Sequence, residues 1–358
     1  MIPTVRRRAR QISIVAQNVD HDVPILIHAG VVPDAPDASV IITSNRGAEI
    51  QAALDSVLAQ EGCSVEVIVI DDCSSDNVGR TVAERFPNAS VYRCRQVTGY
   101  IWARNFAASV AHAPVLFSLD DDARYTDPRT VLCTLLDFDV GGDIGAVAMP
   151  YREPRPDGRV FEVLPTRDDA TFCTDAYVGT AYAVRREVFQ RLGGYRAALI
   201  HQGEERDFCL RMLQAGYVVR LGTAPPLIHR PSMQRNRERI SYYGRRNDAL
   251  FTWQNVPTRS FPMHALRTTA SGLLGAATIA SGRFAREMLT GMVAGWRETS
   301  KHDRRPADFA VYELSLRLRR RGPLPLATVR GRLADVAPRV IVAGGAAIPL
   351  ASAPVPYE

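Results

Sequence analysis

The sequence has almost no lysine and no paired cysteine motif. Lys301 is the one lysine among 44 basic residues, so guanidinium groups carry nearly all of the positive charge. The six cysteines stand singly without a C-x-x-C pair, which argues against a zinc site or a disulfide framework. We therefore expect a reducing, cytoplasmic environment.

Long apolar runs are also missing. The longest uncharged stretch, residues 340–357, contains three prolines and is too broken for a membrane-spanning helix. The arginines at residues 6–8 are followed by acids before the apolar core of a signal peptide has formed. The sequence thus predicts a soluble protein, or one that lies peripherally at the inner face of a membrane.

The positive charge is concentrated in one segment. Residues 230–330 hold 19 basic and 7 acidic side chains, a net of +12, whereas the whole chain carries +6. The arginines alternate with leucines and alanines and form no known nucleic-acid motif, so nucleic acid is an unlikely partner. Arginines near anionic lipid contribute about 1 kcal/mol each, which favours peripheral membrane contact. A solvated helical subdomain packed on the rest of the chain is the structural alternative.

The apolar pattern predicts an α/β protein. Residues 65–70 form a β-branched run typical of a parallel strand covered on both faces, and such runs alternate with helical periodicities from residue 38 onward. This alternation favours a doubly wound, mostly parallel sheet. The chain divides into a β extension and linker at 1–37, a central domain at 38–257 with halves 38–125 and 126–257, and a basic helical region at 258–358.

Acidic residues follow two of the predicted strands. Asp120, Asp121 and Asp122 end the strand at 115–119, and Asp71 with Asp72 ends the strand at 65–70. Ligands of such sheets bind outside the carboxyl ends of the strands. Adjacent carboxylates repel one another, and a divalent cation such as Mg²⁺ or Mn²⁺ would offset that repulsion. The alternative is ordinary turn and helix-capping chemistry.

Further acids begin a predicted helix at about residue 204. Asp207 and Arg211 are spaced as an i,i+4 ion pair, which leaves Glu204 and Glu205 without a structural explanation. Either glutamate could act as a general base facing a substrate hydroxyl. His229 could serve as a metal ligand or as a hydrogen-bonded structural residue.

Together these segments resemble the family 2 glycosyltransferases, whose GT-A fold joins a nucleotide-binding α/β half to an acceptor half. The resemblance covers about residues 38–257 and assigns 38–125 to the nucleotide-binding half and 126–257 to the acceptor half. The motifs that carry it are S-V-I-I-T-S-N-R at 39–46, V-I-D-D-C-S at 69–74, A-R-N at 103–105, L-D-D-D at 119–122, G-E-E-R-D-F-C-L-R at 203–211, and Y-Y at 242–243 with R-N at 246–247.

The resemblance implies a nucleoside-diphosphate sugar as donor and a divalent metal as cofactor. Asp72, with Asp71 as a further candidate, would hold the nucleoside, and Arg104 would reach base or phosphate. The remaining implied contacts are Thr43, Asn45, Arg46 and Asp121 with the donor, Asp120 and Asp122 as the ends of a D-x-D metal motif, and His229 as a late metal or phosphate contact. The family's usual tyrosine is missing between Thr43 and Arg46, which leaves the nucleobase open.

The resemblance also implies an inverting transfer to an acceptor hydroxyl. Glu205 falls where the family commonly has its catalytic base, and the paired Glu204 remains an alternative. The acceptor is a saccharide, a lipid-linked glycan or a small metabolite, as in cell-wall or polysaccharide biosynthesis. A catalytically inactive nucleotide- or carbohydrate-binding protein of the same fold is the competing hypothesis.

Overall fold

The computed structural model describes residues 23–47, 49–155, 157–166, 171–231, 236–279 and 281–343. Residues 1–22 of the predicted β extension and the chain end from residue 344 lie outside these ranges.

Strands and helices alternate through the first half of the described chain, and helices dominate the last third. The strands are β1 (Ile25–His28), β2 (Ala38–Ser44), β3 (Val65–Asp71), β4 (Ala89–Arg93), β5 (Val115–Asp120), β6 (Ala123–Arg124), β7 (Ile144–Ala148), β8 (Tyr151–Pro154), β9 (Val160–Val163), β10 (Phe172–Thr174), β11 (Tyr182–Arg185), β12 (Val218–Leu221), β13 (Leu227–His229) and β14 (Leu324–Pro325). The α-helices are α1 (Ile50–Leu58), α2 (Val78–Arg85), α3 (Tyr100–Val110), α4 (Thr130–Leu136), α5 (Arg186–Arg191), α6 (Glu204–Gln214), α7 (Arg237–Asn255), α8 (Phe261–Thr278), α9 (Gly282–Glu298), α10 (Phe309–Arg321) and α11 (Leu326–Leu333).

The N-terminal half of the main sheet is parallel, as the β-branched runs predicted. Strands β4, β3, β2 and β5 lie side by side in that order and run in one direction. Every residue of β3 after Val65 is buried, because helices cover both faces of the sheet. Strand β1 adds to the edge, antiparallel to β4, so the described part of the predicted β extension contributes an edge strand.

The other half of the main sheet is mixed. Beyond β5 the order continues β11, β7, β12, β10 and β14, with β11 antiparallel to both of its neighbours and β12 parallel to β7. A smaller sheet of β6, β13, β8 and β9 lies beside it. The protein therefore has an α/β fold with a mixed central sheet, whose strands β2 to β5 are parallel.

The C-terminal helices pack on the same body. Strand β14 pairs with β10, and buried side chains of α10 such as Val311 and Tyr312 belong to the core that also holds β2 and β3. Helices α7, α8 and α9 pack against one another. The division at residues 37, 125 and 257 stays a prediction, since this continuous packing does not separate the regions.

Two expectations about composition can be compared with the fold. All six cysteines are free thiols in the structure, consistent with the absence of a disulfide framework. Within the described ranges, helices lack the combination of length and hydropathy that crossing a membrane requires.

Candidate active site

A cleft of about 670 Å³ opens at the carboxyl ends of β2, β3 and β5. Parallel strands that end together bring residues distant in the chain to one edge of the sheet. The cleft, called the main cleft below, collects most of the site residues predicted from the sequence: Thr43, Asn45, Arg46, Asp72, Arg104, Asp120, Asp121, Asp122, Glu204, Glu205 and His229.

Asp71 is the exception among the predicted acids. Its side chain is fully buried, and its carboxylate accepts hydrogen bonds from the backbone N–H groups of Ser74 (2.7 Å) and Gly79 (3.0 Å) and from Arg93 (2.5 Å). These bonds hold the turn after β3 and the start of α2. Asp71 is not among the residues that line the main cleft, and its contact with a nucleoside stays a prediction.

Asp72 lies on the cleft side of the same turn. It accepts hydrogen bonds from the backbone N–H of Thr98 (2.6 Å), the Thr98 hydroxyl (2.8 Å) and the backbone N–H of Gly99 (2.9 Å). A carboxylate offers about four lone-pair directions, so an acceptor position remains toward the cleft. These bonds fix Asp72 at the N terminus of α3.

The three consecutive aspartates point in different directions. Asp120 is 29% exposed and pairs with Arg104 at 2.6 Å, whereas the Ser44 hydroxyl donates a hydrogen bond to Asp121. Burial raises the pKa of Asp121 to about 7, and Asp122 and Asp120 add to this rise. Asp121 is thus hydrogen-bonded to Ser44 at the end of β2. Asp120 and Asp122 belong to a separate group of side chains.

Asp120, Asp122 and His229 form a set of possible metal ligands. One donor atom from each lies within 4.8 Å of the others, and His229 Nε2 is 3.2 Å from Asp122 Oδ1. The other ring nitrogen, Nδ1, lies 3.0 Å from Glu153 Oε2. Since a carboxylate accepts, Nδ1 carries a hydrogen toward Glu153, and Nε2 is the ring nitrogen that faces the two aspartates. Two carboxylates and one imidazole fit Mn²⁺ or Mg²⁺.

Arg104 lies between two carboxylates at the cleft wall. Besides its pair with Asp120, its Nη1 is 3.5 Å from Glu204 Oε1, and only 5% of the side chain is exposed. Neither Arg104 Nη1 nor Glu204 Oε1 has a hydrogen-bond partner among the described residues, although both atoms are buried. In this geometry Arg104 is paired with protein acids, and its contact with base or phosphate stays a prediction.

Glu204 and Glu205 begin α6 in different environments. Glu204 is fully buried and accepts a 3.2 Å hydrogen bond from the Tyr100 hydroxyl, whereas Glu205 is partly exposed to the cleft. Burial raises the pKa of Glu204 well above its usual range, and the neighbouring Glu205 carboxylate adds to the rise. Burial also raises the pKa of Glu205, but its backbone, Arg104 and Glu204 oppose that rise. Glu204 therefore holds a proton more tightly than Glu205 does.

The absence of a side chain at Gly179 lets its segment approach Glu205 and Arg104 closely. A Cβ at this position would lie 3.0 Å from both Glu205 Oε1 and Arg104 Nη1. Next to it, the Thr180 hydroxyl accepts a 3.1 Å hydrogen bond from the backbone N–H of Asp120. The short side chains of this segment therefore leave the Glu205 carboxylate open to the cleft.

Several residues of the cleft were not found from the sequence. Glu153 orients His229, Thr98 holds Asp72, Tyr100 contacts Glu204, and Arg239 adds a cation at the start of α7. Glu153 lies on β8 with no acidic neighbour or motif spacing, so local pattern could not have singled it out. Arg239 was visible only as one arginine of the basic segment.

An α/β sheet with an acid-lined cleft at its strand ends is the arrangement expected of the GT-A nucleotide-sugar transferases. Residues 39–193 match the family described as Glycosyl transferase family 2. The chain therefore contains a family 2 glycosyltransferase domain, which confirms the resemblance and the fold predicted from the motifs.

Individual relatives agree with this assignment. An uncharacterized glycosyltransferase of Haemophilus influenzae is 28% identical over 184 residues, which cover 49% of this chain and 62% of that protein. The succinoglycan biosynthesis protein ExoO of Rhizobium meliloti is 35% identical over 89 residues, 24% of this chain and 26% of that protein. The chain thus spans less than two thirds of either curated relative.

Among solved structures, S. aureus TarS 1-349 in complex with UDP has a TM-score of 0.51 at 14% identity, covering 74% of this chain and 90% of that chain. At this identity the likeness supports the fold alone.

Proposed function

We propose that this protein moves a sugar from a nucleoside-diphosphate sugar to an acceptor hydroxyl with inversion at the anomeric carbon. The observation that carries the proposal is that Asp72, Asp122 and Glu205, from three separate elements, line one cleft. The family 2 domain indicates that the donor is a nucleoside-diphosphate sugar. The cleft has side chains for both the nucleoside end and the sugar end of such a donor.

The donor lies along the edge of the sheet in this proposal. Asp72 accepts hydrogen bonds from the nucleoside, with Thr43 and Asn45 beside it, while Arg46 and Arg239 face the diphosphate. Asp120, Asp122 and His229 hold a divalent metal, Mg²⁺ or Mn²⁺, which when bound neutralises charge on the diphosphate. Arg104 positions Asp120 and Glu204 instead of touching the donor.

Glu205 is the general base. Its carboxylate takes the proton of the acceptor hydroxyl, whose oxygen then forms a bond to the anomeric carbon. The bond from that carbon to the diphosphate breaks on the opposite face, and the nucleoside diphosphate leaves with the electron pair. Glu204 is the poorer candidate for this role, because burial raises its pKa well above the usual range.

A peripheral membrane contact fits the outer surface of the C-terminal helices. The α8–α9 face is a set of exposed apolar side chains: Met263, Leu266, Leu273, Leu274, Leu289 and Val293. Exposed Arg267, Arg283 and Arg286 lie on the same two helices. Apolar side chains bordered by arginines match the interface of an anionic bilayer.

The proposal is tested by exchanging each glutamate for its neutral near-isostere. We expect Glu205→Gln to lower turnover about 10²- to 10⁴-fold, the usual contribution of a general base, with donor affinity preserved. Glu204→Gln is the matched control on the same helix, and we expect a far smaller loss, because the Glu204 carboxyl group is buried against Tyr100 and Arg104 and is not proposed to take the proton. Turnover is measured against a panel of nucleotide sugars with Mg²⁺ or Mn²⁺, and donor affinity by calorimetry.

Near-normal turnover of Glu205→Gln would reject Glu205 as the base. Donor binding without turnover of any donor, by the wild-type protein, would favour an inactive binding protein of the same fold.

A further inference from the structure

A second cavity of about 470 Å³ adjoins the main cleft. Gln202 and Ile240 line both cavities, so the two are neighbours across these side chains. The second cavity is called the arginine pocket below, after Arg206, Arg245 and Arg319 in its lining. None of the roles proposed above uses it.

Arginines outnumber acids in this pocket. Asp248 is the acidic residue in its lining and lies 3.4 Å from Arg245. Asp175 also acts electrostatically on Arg206 and Arg319 from outside the lining. The lining therefore holds three guanidinium groups and one carboxylate, that of Asp248. The Asp175 carboxylate, outside the lining, offsets part of the remaining positive charge.

Arg206 is a partly buried cation, and no carboxylate of the described residues lies at ion-pair distance from it. Its guanidinium stacks on the Phe251 ring at 3.8 Å, and among the described residues it has no hydrogen bond or ion pair. Burial lowers the pKa of Arg206 to about 10, and repulsion from Arg319 contributes, yet the group stays charged at neutral pH. The five donors of this guanidinium are unused within the described residues and reach solvent, so they are available to a ligand.

The position of Arg206 relates the pocket to the reaction. Arg206 directly follows Glu205 in the first turn of α6, and successive Cα atoms are about 3.8 Å apart. Glu205 lines the main cleft and Arg206 lines the arginine pocket. A molecule that contacts both residues would place one group on the base and another on the guanidinium.

We propose that the arginine pocket binds an oxyanion carried by the acceptor, a phosphate or a carboxylate group, and thereby positions the acceptor hydroxyl at Glu205. This inference rests on the proposed function for the identity of the acceptor, whereas oxyanion binding by the pocket can be measured without turnover. Guanidinium groups suit both oxyanions because their paired donors match two oxygen atoms.

The binding test uses calorimetry on the full chain with inorganic phosphate, glucose 6-phosphate, glucuronate and glucose. EDTA is present so that metal-dependent binding in the main cleft does not contribute. We expect the oxyanions to bind and glucose not to bind. Stronger binding of glucose 6-phosphate than of glucuronate assigns phosphate-bearing acceptors, and the reverse assigns acidic sugars.

Variants locate the binding. Arg319→Gln changes an exposed side chain of the lining, and we expect it to weaken oxyanion binding roughly tenfold or more, as loss of a charge-assisted hydrogen bond does. Arg206→Gln should weaken binding further. Arg321→Gln, an exposed arginine on the same helix as Arg319 but outside the pocket, should leave binding unchanged.

Absence of oxyanion binding, or binding that Arg319→Gln and Arg321→Gln affect equally, would overturn the inference. Donor binding is measured in parallel. If only the proposed function is wrong, the protein binds oxyanions in a way that depends on Arg319 but turns over no nucleotide sugar. If only the inference about the arginine pocket is wrong, the protein transfers sugar, and the transfer does not depend on Arg206 or Arg319.

Discussion

Single residues in α6 divide into structural and site-facing groups. Asp207 is buried and accepts hydrogen bonds from Arg211 (2.9 Å), Asn255 (2.8 Å) and Arg196. Burial alone would raise the pKa of Asp207, but Arg196 and Arg211 lower it below the usual value. The predicted Asp207–Arg211 pair is confirmed, whereas Arg196 comes from a distant turn and was not predicted.

We expect Asp207→Asn to lower the free energy of unfolding by about 3–5 kcal/mol, because two buried guanidinium groups lose their anion. Urea denaturation measures the change. Asp157→Asn, which removes an exposed pair with Arg159, serves as the control and should leave stability unchanged. An equal effect of both substitutions would contradict the buried role of Asp207.

The pH dependence of the same measurement follows from the lowered pKa. A carboxyl group with a depressed folded pKa stabilises the protein above its unfolded pKa of about 3.9, and this contribution is lost as the pH falls through the folded value. The stability difference between wild type and Asp207→Asn should therefore narrow below about pH 4.

At the scale of elements, a short strained loop sets the start of α6. Ile200 (φ 61°) and Gln202 (φ 67°) occupy the left-handed region, which is costly for a β-branched side chain such as isoleucine, and Gly203 follows at φ 86°. The Asn247 amide nitrogen lies 2.7–2.9 Å from the carbonyl oxygens of Leu199, His201 and Gln202. Helix α7 thus holds the loop that precedes both glutamates.

We expect Asn247→Asp, which removes the amide donors at constant shape, to lower kcat while the affinity for the donor changes little. Without the Asn247 donors the strained loop relaxes. Glu205, in the first turn of α6 directly after the loop, then moves away from the acceptor. Steady-state kinetics and donor calorimetry measure the two effects. Asn88→Asp, at an exposed position, is the control. Unchanged kcat in Asn247→Asp would show that the loop keeps its conformation without this side chain.

At the scale of the whole molecule, the C-terminal helices combine two surfaces. Their inner side joins the core through residues such as Val311, Leu318 and Val329, so deleting the region would expose that core. Their outer side carries the α8–α9 face. Point substitutions on this face are therefore the appropriate test of membrane contact.

We expect the protein to sediment with vesicles of anionic lipid more than with neutral vesicles, because arginines and apolar side chains lie together on the α8–α9 face. The double change Leu266→Glu with Leu274→Glu should abolish this recovery, since both side chains are more than half exposed. Val160→Glu, an equally exposed apolar position on β9, is the matched control. Equal recovery of all three proteins would contradict the proposal.

The sequence by itself determined the sheet, the acids at its edge and the family. Runs of β-branched residues favour buried parallel strands, and chain direction then places Asp72 and Asp120 at one edge. These conclusions need only local pattern and the rule that such strands end together.

Only the tertiary structure decided which side chains enter the cleft. Asp71 and Asp72 are adjacent, yet one turns behind the sheet and the other toward the cleft, because successive residues of an extended segment point to opposite sides. Glu204 is buried and Glu205 faces the cleft because of the way α6 is rotated about its axis on the sheet. Long-range packing sets that rotation. The pairing of His229 with Glu153 and the neighbouring position of the arginine pocket likewise depend on contacts between residues far apart in the chain.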